Sequence, residues 1–335
     1  MTRADIKILP GKDSAMPSAH RNPEEQKRHK VLIAQFALLA VVLALAPLLA
    51  YPVFLMKVIC FAIFTSSVNL LLGHGGLLSF GQAAYYGLAG YTTGYMASRL
   101  GLPTEIAFLG GIGASILLGA LFGAIAVQRL GLYFAMITLA LAQIIYFLAV
   151  QNPNITGGEN GLQPIPRGNL FGVIDLNNTM TLYAFCSVVL ILTLLFVYRV
   201  MTSPFGRVLR AIRDNEQRAQ TLGYSARRYK LLAFVIASGI AGVAGSLKAL
   251  VMQVVTLADL HLATSAEPIL MMLVGGIGSL FGPVLGATVI VSTQYFLSPF
   301  GAWVTVIQGL IFIACVLLFK QGIAGLAQKL AARNK

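Results

Sequence analysis

The side chains best placed for chemistry lie in one charged segment, Ser203–Lys230, which interrupts an otherwise apolar chain. Basic residues dominate it, namely Arg207, Arg210, Arg213, Arg218, Arg227, Arg228 and Lys230, with Asp214 and Glu216 as the acidic ones. The apolar residues between them recur at three- and four-residue steps, which predicts a short amphipathic helix. Pro204 can begin such a helix and Gly223 can end it. The segment either presents a charged surface to another molecule or only orients the chain in a membrane by the positive-inside rule.

Residues that could form a catalytic or metal site are dispersed along the sequence. Cys60, Cys186 and Cys315 lie in separate apolar runs, and the four histidines are far apart. Their spacing matches no metal site or disulfide framework. The sequence contains no nucleophile–base pair, Walker loop or dinucleotide fingerprint. We therefore expect no enzymatic activity, no bound cofactor and no ATPase within this chain. The net charge of +13 does not predict nucleic-acid binding, because the charges cluster between apolar runs.

The composition indicates an integral membrane protein. Hydrophobic residues make up 57% of the 335 and charged residues only 10%, against about 25% charged in soluble domains. The apolar runs are about 20 residues long, the length of a membrane-spanning helix. We predict an all-α polytopic bundle of about ten spans with glycine-rich interruptions. The predicted spans are 31–50, 52–72, a third ending near 98, 104–127, 131–150, 179–198, 231–253, a short or broken helix within 257–276, 283–297 and 303–319.

The distribution of charge predicts the orientation of these spans. With the N-terminus inside, all but four of the 24 Lys and Arg residues fall on the cytoplasmic side, as the positive-inside rule requires. The four are Arg99, Arg167, Lys57 and Lys248, and the two lysines lie near outer span ends where they could snorkel. This gives a disordered cytoplasmic tail (1–30), a transmembrane domain (31–320) and a cytoplasmic C-terminal tail (321–335). The domain includes a periplasmic loop (151–178) and a cytoplasmic loop (201–230).

Two glycine-rich breaks interrupt the apolar runs. Gly73–Gln82 and Gly275–Pro283 share Gly, Ser, Phe and Gly in the same order, with one residue inserted. Each is either a tight turn or an interrupted helix beside a permeation route, and their likeness is either chance or an internal duplication. The tyrosines that follow the first break form an interfacial belt, packing contacts or a pore wall: Tyr85, Tyr86, Tyr91 and Tyr95.

Five segments together resemble the permeases of branched-chain amino acid ABC importers, a family that also includes urea and short-chain amide permeases. In chain order they are Asn69–Tyr91 (NLLLGHGGLLSFGQAAYYGLAGY), Arg129–Ala140, Thr156–Leu162, Ser203–Gly223 and Gly275–Gly286. The likeness covers about residues 50 to 320 and is greatest to the M-type member of the paired permeases. In the family, the cytoplasmic loop carries a Glu-Ala-Ala-x-x-x-Gly signature. Here Gln217-Arg218 replace the first Ala and add one position.

The resemblance implies a transport role for particular residues. It assigns coupling to the ATPase to Arg207, Arg210, Asp214, Glu216, Ala219 and Gly223. It assigns the substrate pathway to Ser79, Phe80, Gln82, Tyr86, Thr156, Gly157, Glu159, Ser279 and Phe281. The implied partners are a second homologous permease, two ATP-binding subunits that use ATP and Mg, a periplasmic substrate-binding protein and the lipid bilayer. The implied location is the bacterial inner membrane.

Three other functions stay open at this point. A urea or amide permease would have the same motifs. An ATP-independent channel or carrier would transport without partners, but the near absence of carboxylates from the predicted spans argues against an ion-coupled carrier. A membrane subunit with no pathway of its own would use the glycine-rich breaks for packing only.

Overall fold

The computed structural model describes residues 23–129, 131–170, 172, 174–301, 303, 306, 307, 309, 310 and 313. The chain divides into a unit of residues 1–45 and a unit of residues 46–335. Helix α1 (Pro23–Leu49) supplies the described part of the first unit and ends in the second. Most of the predicted N-terminal tail, most of the tenth span and the C-terminal tail lie outside the described residues.

The second unit is almost entirely helical where it is described. Its longer helices are α2 (Pro52–Val68), α3 (Gln82–Ser98), α4 (Thr104–Ala126), α5 (Leu132–Gln151), α7 (Thr179–Thr202), α8 (Pro204–Asp214), α10 (Ala226–Met252), α11 (Leu262–Gly275) and α12 (Gly282–Leu297). A π-helical turn, Asn69–His74, extends α2. The short elements are α6 (Pro153–Thr156), α9 (Glu216–Thr221) and the antiparallel strands β1 (Asn169–Leu170) and β2 (Ile174–Asp175).

The predicted all-α polytopic bundle is confirmed. Six described helices are long and apolar enough to cross a membrane: Leu32–Leu49, Pro52–His74, Thr104–Ala126, Leu132–Gln151, Thr179–Thr202 and Ala226–Met252. Three shorter helices, α3, α11 and α12, occupy the positions of predicted spans three, eight and nine. The eighth was expected to be short or broken, and α11 is short but continuous through Pro268. The number of spans and the side of each terminus stay predictions.

Helices α2 and α10 form the centre of the second unit. The spans containing them are 78% and 72% buried, against 33% for α4, 28% for α5 and 33% for α7. The outer helices expose large apolar side chains, such as Leu117 and Leu192, which suits a surface that contacts lipid.

Small residues allow the central helices to approach closely. A side chain at Gly245 on α10 would overlap the backbone carbonyl of Tyr86 on α3, and one at Gly242 would crowd Ser115 on α4. Tyr86 itself is fully buried and stacks on Phe64 of α2, with ring centroids 4.5 Å apart. Tyr86 therefore makes packing contacts inside the bundle and is not part of an interfacial belt.

The two glycine-rich breaks interrupt helices at the same kind of position. Residues 76–81 separate α2 and its π-helical turn from α3, and residues 276–281 separate α11 from α12. Each break opens with a left-handed glycine, Gly76 at φ +65° and Gly276 at φ +113°, a conformation that L side chains disfavour. Each break ends where the next helix begins. The sequence likeness therefore extends to the backbone.

Candidate functional site

The charged segment forms two helices instead of the one predicted. Helix α8 ends at Asp214 because Asn215 adopts an extended backbone, with φ −157°. The Asn215 side chain accepts a hydrogen bond of 2.9 Å from the Arg218 backbone amide and so caps α9. Ser203 caps α8 in the same way, through Gly206. The loop between α7 and α10 is accordingly residues 203–225, slightly shorter than the predicted 201–230.

Apolar contacts hold α8 and α9 against the start of α10. Ile212, Ala219 and Ala226 form a buried cluster, one residue from each helix. The Phe205 and Tyr229 rings stack with centroids 5.6 Å apart. The two short helices therefore pack with the start of α10 into one unit, which we call the coupling unit (residues 203–230).

The outer surface of the coupling unit is basic and exposes two large hydrophobic side chains, Leu222 and Tyr224. The exposed basic residues include Arg207, Arg210, Arg218, Arg227 and Arg228. Leu222 is 71% exposed. Arginine and tyrosine are enriched where proteins contact each other, so the composition of this surface suits such a contact.

The residues predicted to couple to an ATPase have different roles in this unit. Arg207 is exposed, Arg210 donates to the Met201 carbonyl at 2.8 Å, and Asp214 pairs with Arg213 at 3.0 Å. Ala219 is buried, and Gly223 follows α9 with φ +88°.

The acidic residue of the predicted signature, Glu216, forms an ion pair within the chain. Its carboxylate accepts a hydrogen bond of 2.6 Å from Lys230, whose side chain is only 6% exposed. This pair joins α9 to the first turn of α10.

Breaking this ion pair on one side should destabilise the coupling unit. We expect Lys230→Met to lower the free energy of unfolding by about 2 kcal/mol, because it leaves the Glu216 carboxylate partly buried without its partner. The double variant Lys230→Met with Glu216→Gln should recover part of that loss. Thermal unfolding of the purified protein measures both. An equal or larger loss in the double variant would contradict a coupled pair.

The coupling unit is hydrogen-bonded to the first glycine-rich break. Arg213 donates from its guanidinium to the Gly73 carbonyl at 2.6 Å. The Arg213 side chain also lies against the Cα of Gly76, where a Cβ would meet its Cγ. The sequence analysis counted Arg213 among the basic residues but assigned it no role.

The first break is in turn bonded to the second. The Asn69 amide donates to the Ser279 carbonyl at 2.8 Å and accepts from the Gly278 backbone amide at 2.8 Å. Asn69 is buried. Sequence reasoning missed this residue, although a polar amide at the end of an apolar run, just before a glycine-rich break, is a usable signal. The π-helical turn Asn69–His74 is thus bonded to α8 through Gly73 and to the second break through Asn69.

The predicted pathway residues of the two breaks each contact other parts of the chain. Ser79 is buried and accepts from the Gly81 amide at 3.2 Å, and the Phe80 amide donates to Thr138 at 3.2 Å. Ser279 supplies the carbonyl that Asn69 binds, and Phe281 precedes α12. Near them, at the start of α3, the Gln82 side chain is fully buried and has no hydrogen-bond partner in the part of the chain that is described.

The predicted residues of the outer loop lie elsewhere. Thr156 donates to the Ala149 carbonyl at 2.8 Å, Gly157 turns the chain with φ +77°, and Glu159 is exposed. They shape the loop after α5. The loop is fixed to the end of α10 by the backbone bridge between Leu162 and Val255.

A charged cavity of about 400 Å³ lies between α2, α3, α10, α11 and α12. Its wall includes Lys57, Lys248, Asp259, Glu267, Gln294 and Tyr86. Lys57 and Lys248 both line this cavity, and Lys248 is paired there with Asp259. The snorkelling of the two lysines stays a prediction. The predicted near absence of carboxylates from the spans has one exception here, since Glu267 lies on α11. The argument against an ion-coupled carrier is weaker by that one carboxylate.

Only Tyr86 among the predicted pathway residues lines the charged cavity. Lys248 and Asp259 are paired at 2.5 Å, with side chains 17% and 14% exposed. Lys57, Lys248 and Glu267 also line the cavity, and each lies four or five residues inside the end of its helix. A charged residue at that distance from a helix end is the signal that the sequence offers.

Comparison with known proteins gives consistent matches. The family model "Branched-chain amino acid transport system / permease component" matches residues 52–317. The high-affinity branched-chain amino acid transport system permease protein LivM of Escherichia coli (strain K12) is 28% identical over 281 residues, covering 76% of this chain and 65% of that protein. LivM of Salmonella typhimurium is 28% identical over 280 residues, with the same coverage. A probable LivM permease of Methanocaldococcus jannaschii is 27% identical over 263 residues, covering 66% of this chain and 73% of the relative. The match thus spans just under two thirds of the length of the two bacterial relatives. No solved structure matches the chain.

Proposed function

Because the chain belongs to the family of permease components of branched-chain amino acid transport systems, we propose that it is the transmembrane permease subunit of an ATP-binding cassette importer. It is a multi-pass membrane protein. We propose that it translocates branched-chain or other hydrophobic amino acids across the bacterial inner membrane. A periplasmic binding protein delivers them, and ATP hydrolysis in separate subunits drives the transport. In this proposal the chain binds no cofactor, and the partner ATPases use ATP and Mg.

The observation that carries the proposal is that the π-helical turn Asn69–His74 is hydrogen-bonded both to the coupling unit and to the second break. A subunit that receives motion from an ATPase needs an exposed docking surface, a rigid body behind it and a connection to the transport route. The coupling unit offers the exposed Leu222 and arginines, its three helices pack as one body, and Arg213 is bonded to Gly73. Asn69 extends that connection to the second break.

The complex that we propose has a second homologous permease and two ATP-binding subunits beside this chain. Residues 201–230 contact an ATP-binding subunit on the cytoplasmic side. The loop 151–178 lies on the periplasmic side, where the binding protein docks. Residues 31–320 form the domain that contacts lipid and the second permease.

Co-purification and transport test this proposal together. The tagged protein is isolated from its native host in mild detergent, and the co-purifying proteins are identified by mass spectrometry. The complex is then reconstituted in vesicles and assayed for leucine uptake with and without ATP. We expect ATP-binding subunits, a second permease and ATP-dependent uptake. Recovery of the chain alone, still transporting without ATP, would instead establish a channel or carrier.

The substrate class is tested by competition in the same vesicles. We expect unlabelled leucine to compete with labelled leucine and urea to have no effect. Competition by urea, or by short-chain amides, would assign the chain to the urea and amide branch of the family.

A further inference from the structure

We infer that the charged cavity is a binding site for a zwitterionic α-amino acid with an apolar side chain, in which Lys57 binds the carboxylate and Glu267 binds the ammonium group. This inference rests on the proposed function and identifies where the substrate binds. The volume of the charged cavity, about 400 Å³, is within the range of small-molecule sites, about 300–1,000 Å³.

Two of the four charges in the cavity already satisfy each other. Lys248 is paired with Asp259 at 2.5 Å and also donates to the Val254 carbonyl at 3.3 Å. Asp259 further accepts from the Thr256 amide at 3.0 Å, which caps the turn after α10. This pair fastens the segment that follows α10 and has little capacity left for a ligand.

The other two charges lack comparable partners. No described residue lies within hydrogen-bond or ion-pair distance of the Lys57 ammonium group. Glu267 has one weak contact, from the Gln294 amide at 3.5 Å. Lys57 and Glu267 attract each other across this half-open cavity, but they form no direct ion pair. A ligand with one carboxylate and one ammonium group would satisfy both.

The rest of the wall fits the apolar part of such a ligand. Phe61, Met252 and Cys60 line the same cavity. An amino acid could therefore place its charged end between Lys57 and Glu267 and its side chain against these residues. A neutral ligand such as urea would leave both charges unpaired, so the cavity favours a zwitterion.

The position of the cavity suits a first binding step. Lys57 follows the start of α2 by five residues, Lys248 precedes the end of α10 by four, and Glu267 follows the start of α11 by five. At a rise of about 1.5 Å per residue, all three lie about 6–8 Å inside the ends that we predict to be periplasmic. The two breaks lie at the opposite ends of α2 and α11. The cavity is therefore where a molecule released by a binding protein would arrive.

Charge inversion tests the assignment in the complete importer, with its binding protein, in vesicles. We expect Lys57→Glu and Glu267→Lys each to lower ATP-driven leucine uptake at least about tenfold, since each replaces an attraction with a repulsion. Hydrolysis of ATP stimulated by the loaded binding protein should persist. The double inversion should restore much of the uptake, because a reversed zwitterion can bind a reversed site. Glu105→Gln, which removes a carboxylate in the first turn of α4, outside the cavity and outside the loop 151–178, is the matched control and should leave uptake unchanged.

Thiol protection tests binding without relying on transport. Ala258 is exposed and lines the cavity, so Ala258→Cys is accessible to a membrane-impermeant thiol reagent. Modification is scored at that peptide by mass spectrometry, apart from Cys60. We expect leucine to slow the reaction, and isocaproate, isoamylamine and urea not to. In an Ala258→Cys background that also carries Glu267→Gln, leucine should lose its effect.

The outcomes separate the two proposals. Unchanged uptake in both single inversions, or no protection by leucine, overturns the binding site while ATP-driven uptake still supports the importer. Absence of ATP-driven uptake in the unmodified complex, together with protection by leucine that depends on Glu267, overturns the importer and retains the binding site.

Discussion

Replacing Arg213 with methionine should separate ATP hydrolysis from transport. The variant keeps a long apolar side chain but loses the donor to the Gly73 carbonyl, a bond of 2.6 Å. A hydrogen bond from a charged donor is worth about 1.5–3 kcal/mol, or roughly ten- to a hundredfold in a coupled equilibrium. The second partner of Arg213, Asp214, is 67% exposed, and its pair contributes little. The expected loss of coupling in Arg213→Met therefore comes from the missing hydrogen bond to the Gly73 carbonyl.

The measurement is the ratio of leucine taken up to ATP hydrolysed by reconstituted complexes. We expect that ratio to fall at least about tenfold in Arg213→Met, with the subunits still assembled. Arg228→Met is the matched control, because Arg228 is an exposed arginine of the same coupling unit, and its ratio should not change. An unchanged ratio in Arg213→Met would exclude Arg213 as the connection. Equal loss of hydrolysis and uptake would mean that α8 serves only for docking.

Hydrophobicity and glycine spacing were sufficient to predict most of the long helices. The fourth predicted span, 104–127, corresponds to Thr104–Ala126, and the sixth, 179–198, to Thr179–Thr202. The two breaks were located by their glycines, since a left-handed glycine ends a helix wherever it occurs. Signals of this kind depend only on residues that are close together in the chain, so they can be read from a single sequence.

The contacts between distant segments could not be read from those signals. Asn69 binds a residue 210 positions away, and this contact depends on how α2 and α11 pack. The likeness of the two breaks suggested that they flank one route, but it did not identify Asn69 as the side chain that joins them. Lys57 and Lys248 were placed at the correct depth, but the face of the helix that each occupies decides between snorkelling and a cavity wall. Glu267 lies within 257–276, where a short or broken helix is predicted, but the sequence does not show that this residue faces a cavity.

A methyl group at Gly73 should separate the two breaks and abolish transport. A Cβ built there would lie 2.5 Å from the Asn69 side-chain oxygen and 2.9 Å from the Gly278 backbone nitrogen. Neither atom can move without breaking the hydrogen bonds that join the breaks. Overpacking of this kind costs about 1–3 kcal/mol. We expect Gly73→Ala to lower the thermal stability of the complex and to reduce leucine uptake by tenfold or more, a change of about 1.4 kcal/mol.

Gly75→Ala is the control for this prediction, because it adds the same methyl group two residues away. Gly75 has φ −90°, and a Cβ there would meet Leu77 at 3.8 Å and Leu209 at 3.9 Å, which are ordinary contacts. We expect it to change stability by less than about 0.5 kcal/mol and to leave uptake intact. Adding Asn69→Ala to Gly73→Ala removes one of the two clashes but also the amide that bonds to Gly278 and Ser279. Stability should therefore recover in part while uptake stays low. If uptake recovered together with stability, the connection between the breaks would not be needed for transport, and the methyl group at Gly73 would have acted through packing alone.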